Sequence, residues 1–217
     1  MAYHGAVTVG GTPDVRELTD LIISKVAVGP MDNNAYLLRC RHTDEQLLID
    51  AANEADTLLT LVGNTPLQTV VTTHRHGDHW QALTEVVAKT GAATVAGAED
   101  ADELPVDVNR RVDDGERVSV GRCELEVIHL VGHTPGSIAL LYDDPEGHPH
   151  LFTGDCLFPG GVGKTWSSED FETLVGDVER KVFDRLPDET WVYPGHGNDT
   201  TLGAERPHLT EWRARGW

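Results

Sequence analysis

Residues 72–79 read Thr72-Thr73-His74-Arg75-His76-Gly77-Asp78-His79 and follow directly on an apolar stretch. Three imidazoles and one carboxylate therefore fall within six positions. A neutral imidazole offers a nitrogen lone pair to a borderline cation such as zinc, and a carboxylate adds negative charge, so the set suits zinc, iron or manganese better than calcium. The alternative is a polar turn that happens to be rich in histidine. Five of the eleven histidines lie in this run or in two later glycine-flanked sites, which favours a metal site.

The bulk composition predicts one folded domain over residues 1–217, with residues 1–20 as a partly mobile lead-in. Hydrophobic residues make up 39% of the chain and charged residues 24%, as in a soluble globular protein. We find no signal-peptide pattern and no apolar stretch of the roughly 18 residues that span a bilayer. The three cysteines show no paired spacing, which indicates a reducing compartment, and we expect a cytoplasmic location.

The formal net charge of −19 argues against nucleic acid or a membrane surface as a partner, because both carry negative charge. The acidic runs at 44–45, 99–103, 113–114 and 143–144 are typical of solvated loops and helix ends. We therefore interpret them as contributions to solubility.

Short apolar runs separated by turn residues predict strands at 21–28, 35–38, 47–49, 69–71, 94–96, 117–120, 124–130, 137–142, 150–153 and 190–193. Apolar residues at helical spacing predict helices at 56–62, 78–89, 168–184 and 202–213. Ser167 or Ser168 is expected to cap the third helix. Such mixed elements favour two sheets packed face to face with helices outside.

Four further polar residues stand at the ends of apolar strands, where scaffolds commonly place chemistry. They are Asp50, His133 in Gly-His-Thr-Pro-Gly, Asp155 in Thr-Gly-Asp, and His196 in Pro-Gly-His-Gly. Taken singly, Asp50 could cap a helix, His133 could be a turn residue, and Asp155 could close an Asx turn. Together with residues 74–79, they supply the ligand types and number that a two-metal centre needs.

Four motifs in this order, at residues 73–79, 132–137, 153–155 and 194–197, resemble the metallo-β-lactamase superfamily and, within it, the glyoxalase II-like hydrolases. The resemblance extends from about residue 21 to 207. It implies an α+β fold, an αββα four-layer sandwich of two mixed β-sheets flanked by helices, with the metals at one edge between the sheets. The short C-terminal tail is similar to that of single-domain bacterial hydroxyacylglutathione hydrolases, whose substrates are expected to include other thiol conjugates.

The resemblance also implies a role for each motif residue. His74, His76 and His133 would bind the first metal, Asp78, His79 and His196 the second, and Asp155 would bridge the two. Asp50 would steady a ligand without touching metal. We expect two divalent metal ions. Zinc is the expected metal, and iron and manganese are the alternatives.

Two metals roughly 4 Å apart can hold a hydroxide between them and polarise a carbonyl, and Asp78 could orient that hydroxide as a catalytic residue. A thiol, with a pKa of about 8.5, leaves without a general acid, whereas an amide needs one. The expected substrate is therefore a small thioester such as S-lactoylglutathione. Lys164, in the glycine-rich segment after Asp155, would by the resemblance bind substrate, and Cys156 is expected to pack rather than to bind metal.

Other functions remain open at this stage. A mononuclear iron persulfide dioxygenase of the same superfamily would use only His74, His133 and Asp155. A lactonase or nuclease could use the same hydroxide, although the acidic charge counts against the nuclease. An inactive binding domain is disfavoured, because all seven expected ligands are present.

Overall fold

The computed structural model describes residues 3–216, which form two large β-sheets. The first sheet has seven strands, in this order: β1 (Asp14–Glu17), β2 (Leu21–Val28), β3 (Asn33–Cys40), β4 (Gln46–Ile49), β5 (Leu67–Thr72), β6 (Ala93–Gly97) and β7 (Arg110–Val112). Pairing is antiparallel from β1 to β4 and parallel from β4 to β7. This is the mixed sheet that the sequence predicted.

The second sheet has six strands, and its order differs from the order along the chain. Across the sheet they are β15 (Thr200–Thr201), β14 (Trp191–Pro194), β11 (Pro149–Gly154), β10 (Ile138–Asp143), β9 (Cys123–His129) and β8 (Arg117–Val120). A small separate hairpin joins β12 (Leu157–Phe158) to β13 (Gly161–Val162). Only β11 and β14 run parallel in the second sheet, so this sheet is also mixed.

Helices cover the outer face of each sheet. Helices α1 (Ala55–Val62) and α2 (Leu83–Thr90) pack on the first sheet, and α3 (Ser168–Val178), α4 (Leu202–Glu205) and α5 (Leu209–Arg215) pack on the second. The predicted αββα sandwich is confirmed. No helix among residues 3–216 is both long and apolar enough to cross a membrane.

Alternation along the strands produces the layers. In β3, Tyr36 and Leu38 point into the core between the sheets, whereas Leu37 points outward into the core beneath α1 and α2. In β10, Leu140 faces the central core, and Leu141 faces the core beneath α3. Because side chains alternate along a strand, continuous apolar runs such as these belong to strands buried on both faces.

Three predicted helices differ from the observed ones. The helix predicted at 168–184 is α-helical only as far as Val178 and ends in a π-helical turn, Glu179–Phe183. The helix predicted at 78–89 starts only at Leu83, because the N–H groups of Gln81 and Ala82 donate to the carbonyls of Ala52 and Ala51. Residues Gly77–His79 instead form a single 3₁₀ turn. The helix predicted at 202–213 divides into α4 and α5 around a turn that contains Pro207, a residue that cannot donate the helical hydrogen bond.

The prediction that residues 1–20 lead into one domain over 1–217 stays a prediction. Within that lead-in the structure places β1, which pairs with β2 and alternates between partly buried and exposed residues. Residues 1, 2 and 217 lie outside the described residues. Strands β1, β7, β12, β13 and β15 are two to four residues long and were not predicted.

The strand pairings bring the motifs to one edge of the sandwich. Strands β4 and β5 are parallel neighbours, so Asp50 and His74 follow them at the same end. Strands β11 and β14 are likewise parallel, and they deliver Asp155 and His196. His133 lies in the loop between β9 and β10.

Candidate metal centre

The seven predicted ligands converge in three overlapping sets. Within each set, one donor atom from every residue lies within 4.8 Å of the others. The sets are His74, His76 and His133; His74, His79 and Asp155; and Asp78, His79 and His196. Residues from both sheets thus meet in one place, and their roles as ligands stay a prediction.

Each of four imidazoles has its Nδ1 engaged on the side away from the centre. For His133 the partner is the carbonyl of Lys164, at 2.7 Å, and for His196 it is the carbonyl of Met31, at 2.9 Å. A carbonyl only accepts, so in both rings Nδ1 carries the proton and Nε2 keeps its lone pair. The Nε2 atoms therefore present lone pairs to the centre.

The same arrangement holds on the side of the first sheet. Asp50 Oδ2 lies 2.9 Å from His79 Nδ1 and also accepts the hydroxyl proton of Thr73 at 2.8 Å. Since the Thr73 proton is committed there, its oxygen is left to accept from His74 Nδ1, at 3.1 Å. Asp50 also accepts from the Thr73 N–H at 2.7 Å, so one buried carboxylate orients both rings.

Lone pairs consequently face one another at short range. The Nε2 atoms of His74 and His133, two rings whose pKa values are lowered by burial, are 3.2 Å apart. Two lone pairs at this separation repel unless positive charge lies between them. This donor set fits divalent metal ions, which accept exactly such imidazole nitrogens.

Asp155 supplies a further sign that the site fits a cation. Its Oδ1 is buried and, within residues 3–216, has no hydrogen-bond partner, although His79 Nε2 lies 3.3 Å away. An unpaired buried carboxylate oxygen is costly, so such groups are normally paired or bound to metal. Asp155 also lies near Nε2 of His133, at 3.7 Å, and of His196, at 3.6 Å, as a bridging position requires.

The pKa values differ between the two sides of the centre. Burial lowers the pKa of His74, His76 and His133, which keeps these rings neutral. Burial would also lower the pKa of His79, but the nearby carboxylates of Asp155 and Asp50 outweigh it and raise the value to about 10. Positive charge is thus favoured near His79 even without metal.

Asp78 is held as an anion. Burial opposes its ionisation, but a hydrogen bond from Asn33 Nδ2, at 2.9 Å, and the charge of His79 lower its pKa. Asn33 starts β3 and also forms a backbone bridge with His196. Sequence reasoning missed Asn33, because an asparagine at a strand start carries no spacing pattern.

Asp100 corrects the interpretation of the acidic run at 99–103 as solvated. It is 0% exposed, and it accepts from the N–H of Arg75 at 3.0 Å and from that of Gly136 at 2.9 Å. The Thr134 hydroxyl also donates to it. Asp100 thereby ties the loop that carries His133 to the histidine run, a role that only the three-dimensional fold reveals.

Two other predicted residues lie near the centre. The carbonyl of Lys164 holds His133, and its Nζ lies 4.5 Å above the ring of Trp166. Cys156 is buried in the core beneath α3, with its Sγ 3.8 Å from the carbonyl of Leu130. Lys164 is therefore positioned at the rim, and Cys156 packs as expected.

Comparison with known proteins gives matches over most of the chain. A family model described as the metallo-beta-lactamase superfamily matches residues 28–196. A hydroxyacylglutathione hydrolase of Polaromonas sp. is 35% identical over 179 residues, which cover 81% of this chain and 66% of that protein. A hydroxyacylglutathione hydrolase of Rhodospirillum rubrum is 35% identical over 181 residues, 82% of this chain and 67% of that protein. This chain thus spans about two thirds of the length of these relatives.

A solved structure is similar over a comparable extent. The crystal structure of ETHE1 from Myxococcus xanthus superposes with a TM-score of 0.75 at 30% identity and covers 86% of this chain and 82% of that one. The family match and this structural similarity agree with the αββα sandwich. The chain therefore belongs to the metallo-β-lactamase superfamily, within its glyoxalase II-like group.

Proposed function

We propose that this chain is a metal-dependent hydrolase that holds two divalent ions, with zinc as the expected metal, and cleaves a small thioester such as S-lactoylglutathione. The observation that carries the proposal is the convergence of Asp78, His79 and His196, with their donors oriented toward one point. A mononuclear centre would leave this second set without a purpose. The relatives named hydroxyacylglutathione hydrolase support the thioester as substrate.

Bound divalent ions supply positive charge that polarises a carbonyl group and makes water acidic enough to attack at neutral pH. The chain itself contributes the orientation of the reactants. Asp78, an anion fixed by Asn33, accepts a hydrogen bond from the attacking water and directs it at the carbonyl carbon. The thiolate leaves without a proton donor, because its conjugate acid has a pKa of about 8.5.

The location in the cell is part of the same proposal. Cys40, Cys123 and Cys156 are all free and buried, which suits a reducing compartment such as the cytoplasm. A nucleic-acid substrate is disfavoured by the net charge of −19.

The test combines metal counting with two activity assays on the purified protein. Elemental analysis measures zinc, iron and manganese per chain, S-lactoylglutathione hydrolysis is followed in parallel, and oxygen uptake is measured with glutathione persulfide. We expect two ions per chain and thioester cleavage. One iron per chain, persulfide-dependent oxygen uptake and no thioester cleavage would overturn the proposal in favour of the dioxygenase.

A variant at the second set sharpens this test. His196→Gln should lower the metal content from two to about one and reduce hydrolysis strongly, because it removes a donor of the second metal only. His208→Gln, which changes an exposed histidine that lies 3.4 Å from Glu211, is the matched control and should retain both metals. Full activity of His196→Gln with one bound ion would contradict the two-metal proposal.

A further inference from the structure

A cavity of about 220 Å³ opens beside His133, on the outer side of the metal centre. Its walls include Arg75, Thr134, Trp166 and Asp170. At roughly 30 Å³ per water molecule, the space holds about seven waters, or one small polar group of similar size. Of the seven candidate metal ligands, His133 lines this cavity, and the proposed reaction gives the cavity no role.

Arg75 is a cation whose donors are free to bind a ligand. Its side chain is 38% exposed, and its nearest carboxylate, Asp100, lies 3.9 Å away. Asp100 already accepts from two backbone N–H groups and from the Thr134 hydroxyl. Within residues 3–216, the Arg75 guanidinium makes no hydrogen bond, so it offers the flat fork of donors that matches a carboxylate.

Asp170 lies on another wall of the same cavity and carries the opposite charge. One of its oxygens accepts from the Ser167 hydroxyl at 2.8 Å. The other oxygen receives no hydrogen bond from any residue in the described part of the chain. Asp170 and Arg75 do not form an ion pair with each other within 4.0 Å, so both charges face the cavity without neutralising one another.

The cavity wall is built by a close backbone contact. Gly132 has a φ of +137°, and a Cβ at this position would lie 2.4 Å from the carbonyl oxygen of Asp170 and 2.6 Å from Leu174 Cβ. Only glycine lets the loop seat against α3 at this distance. Packing therefore fixes the loop that carries His133 against the start of α3, where Asp170 lies.

Trp166 closes the remaining side. Its indole is 62% exposed, and its ring centre lies 6.2 Å from that of His76, so it borders the metal centre. A large exposed aromatic side chain next to a polar cavity is typical of a ligand contact. A substrate with one group bound between Arg75 and Asp170 could therefore lie along the Trp166 ring and reach the metal centre.

We propose that this cavity binds a free α-amino acid group on the substrate, with its carboxylate on Arg75 and its ammonium on Asp170. The inference rests on the proposed thioester hydrolysis. It adds which group of the substrate the protein recognises. A carboxylate needs a local cation here, because 36 acidic residues against 17 basic ones make the surface repel anions. An ammonium group and a carboxylate held together match the two walls better than either charge alone.

Three lactoyl thioesters of different thiols test the inference. Glutathione carries a free α-amino acid group, N-acetylglutathione has the carboxylates without the ammonium, and N-acetylcysteamine has neither. Arg75→Gln should lower kcat/KM for the glutathione thioester about tenfold more than for the N-acetylcysteamine thioester, since one charged hydrogen-bonded contact is lost. Asp170→Asn should abolish the preference for the glutathione over the N-acetylglutathione thioester.

Controls separate this effect from general damage. Arg117→Gln removes the same charge from the exposed edge strand β8 and should leave the three kcat/KM values in their native ratio. Elemental analysis should give the same metal content for the native protein and for all three variants. If Arg75→Gln reduces the three thioesters equally, or none of them, the inference is overturned.

Direct binding keeps the inference testable if the proposed function fails. S-methylglutathione cannot be hydrolysed, and its binding can be followed through the tryptophan fluorescence that Trp166 contributes. Arg75→Gln should raise its Kd about tenfold. An unchanged Kd overturns the inference, whereas hydrolysis of none of the three thioesters by the native protein overturns only the proposed function.

Discussion

Replacement of Asp50 by asparagine removes the carboxylate that orients two rings of the centre. Asp50 accepts three hydrogen bonds: two from Thr73, through N–H and hydroxyl, and one from His79. Asparagine can keep the oxygen that faces the Thr73 N–H, but its amide nitrogen then faces two donors. His79 must turn its Nδ1 lone pair to that amide, which moves the ring proton to Nε2, on the metal side.

The expected magnitude follows from these contacts. Two hydrogen bonds to a charged acceptor are lost, at about 1.5 kcal/mol or more each, so the metal-free fold should lose about 3 kcal/mol of its free energy of unfolding. Loss of a carboxylate behind a ligating histidine typically lowers metal affinity 10- to 100-fold, or about 1.4 to 2.7 kcal/mol. The loss should reach the second set through His79 and the first set through His74, whose Nδ1 is held by Thr73.

The assay is a zinc titration against a competing chelator, together with urea unfolding of the metal-free protein. Asp44→Asn is the matched control, because Asp44 also has a positive φ, of 59° against 58° at Asp50, but is exposed. The control should keep both affinities and its stability. If Asp50→Asn binds two zinc ions as tightly as the native protein, the argument that Asp50 fixes the tautomer of His79 is refuted.

Two further predictions concern packing and pH. Gly195→Ala would place a Cβ 2.2 Å from Asp155 Oδ1 and 2.7 Å from His79 Cε1, so metal content by elemental analysis should fall, whereas Gly176→Ala, in open space, should bind metal normally. Burial lowers the pKa of His150 to about 3, so the unfolded chain, with a pKa near 6.5, binds the extra proton, and stability is lost as the pH falls from 6.5 toward 3. Urea unfolding at pH 7 and pH 5 should show about 2 kcal/mol more acid destabilisation in the native protein than in His150→Asn, and equal pH dependence of the two would contradict this account.

Much of the fold could be predicted because its strands are buried on both faces. Runs of buried apolar residues such as those in β4 and β10 stand out in the sequence, and helices such as α1 show regular apolar spacing. The short edge strands could not be predicted, because β1 has the sequence Asp-Val-Arg-Glu and owes its position to pairing with β2. Helix α2 also starts later than predicted, because Gln81 and Ala82 donate hydrogen bonds to another part of the chain. The spacing of apolar residues gives no information about such tertiary hydrogen bonds.

Candidate ligands could be named from the sequence because metal chemistry restricts ligands to a few residue types in recognisable motifs, and the structure brings these candidates together. The residues that position them could not be named from the sequence. Asp100 stands in an acidic run like several exposed ones, and its burial depends on Thr134 and Gly136, more than thirty positions away. Asn33 contacts Asp78 across 45 positions, so its role emerges only when β3 and the histidine run are neighbours in space.

The two sides of the centre differ in how they compete with protons. His74, His76 and His133 are neutral because burial lowers their pKa values, so they offer lone pairs to a first ion over the whole physiological pH range. Near His79, the carboxylates of Asp50 and Asp155 outweigh burial and raise the pKa to about 10, so the second ion that we propose would have to displace a bound proton. Since ligands must be deprotonated before they bind metal, we expect acid to empty the second set before the first. The proposed two-metal state should therefore be favoured by higher pH, because the carboxylates that would attract the second metal also retain the proton that opposes it.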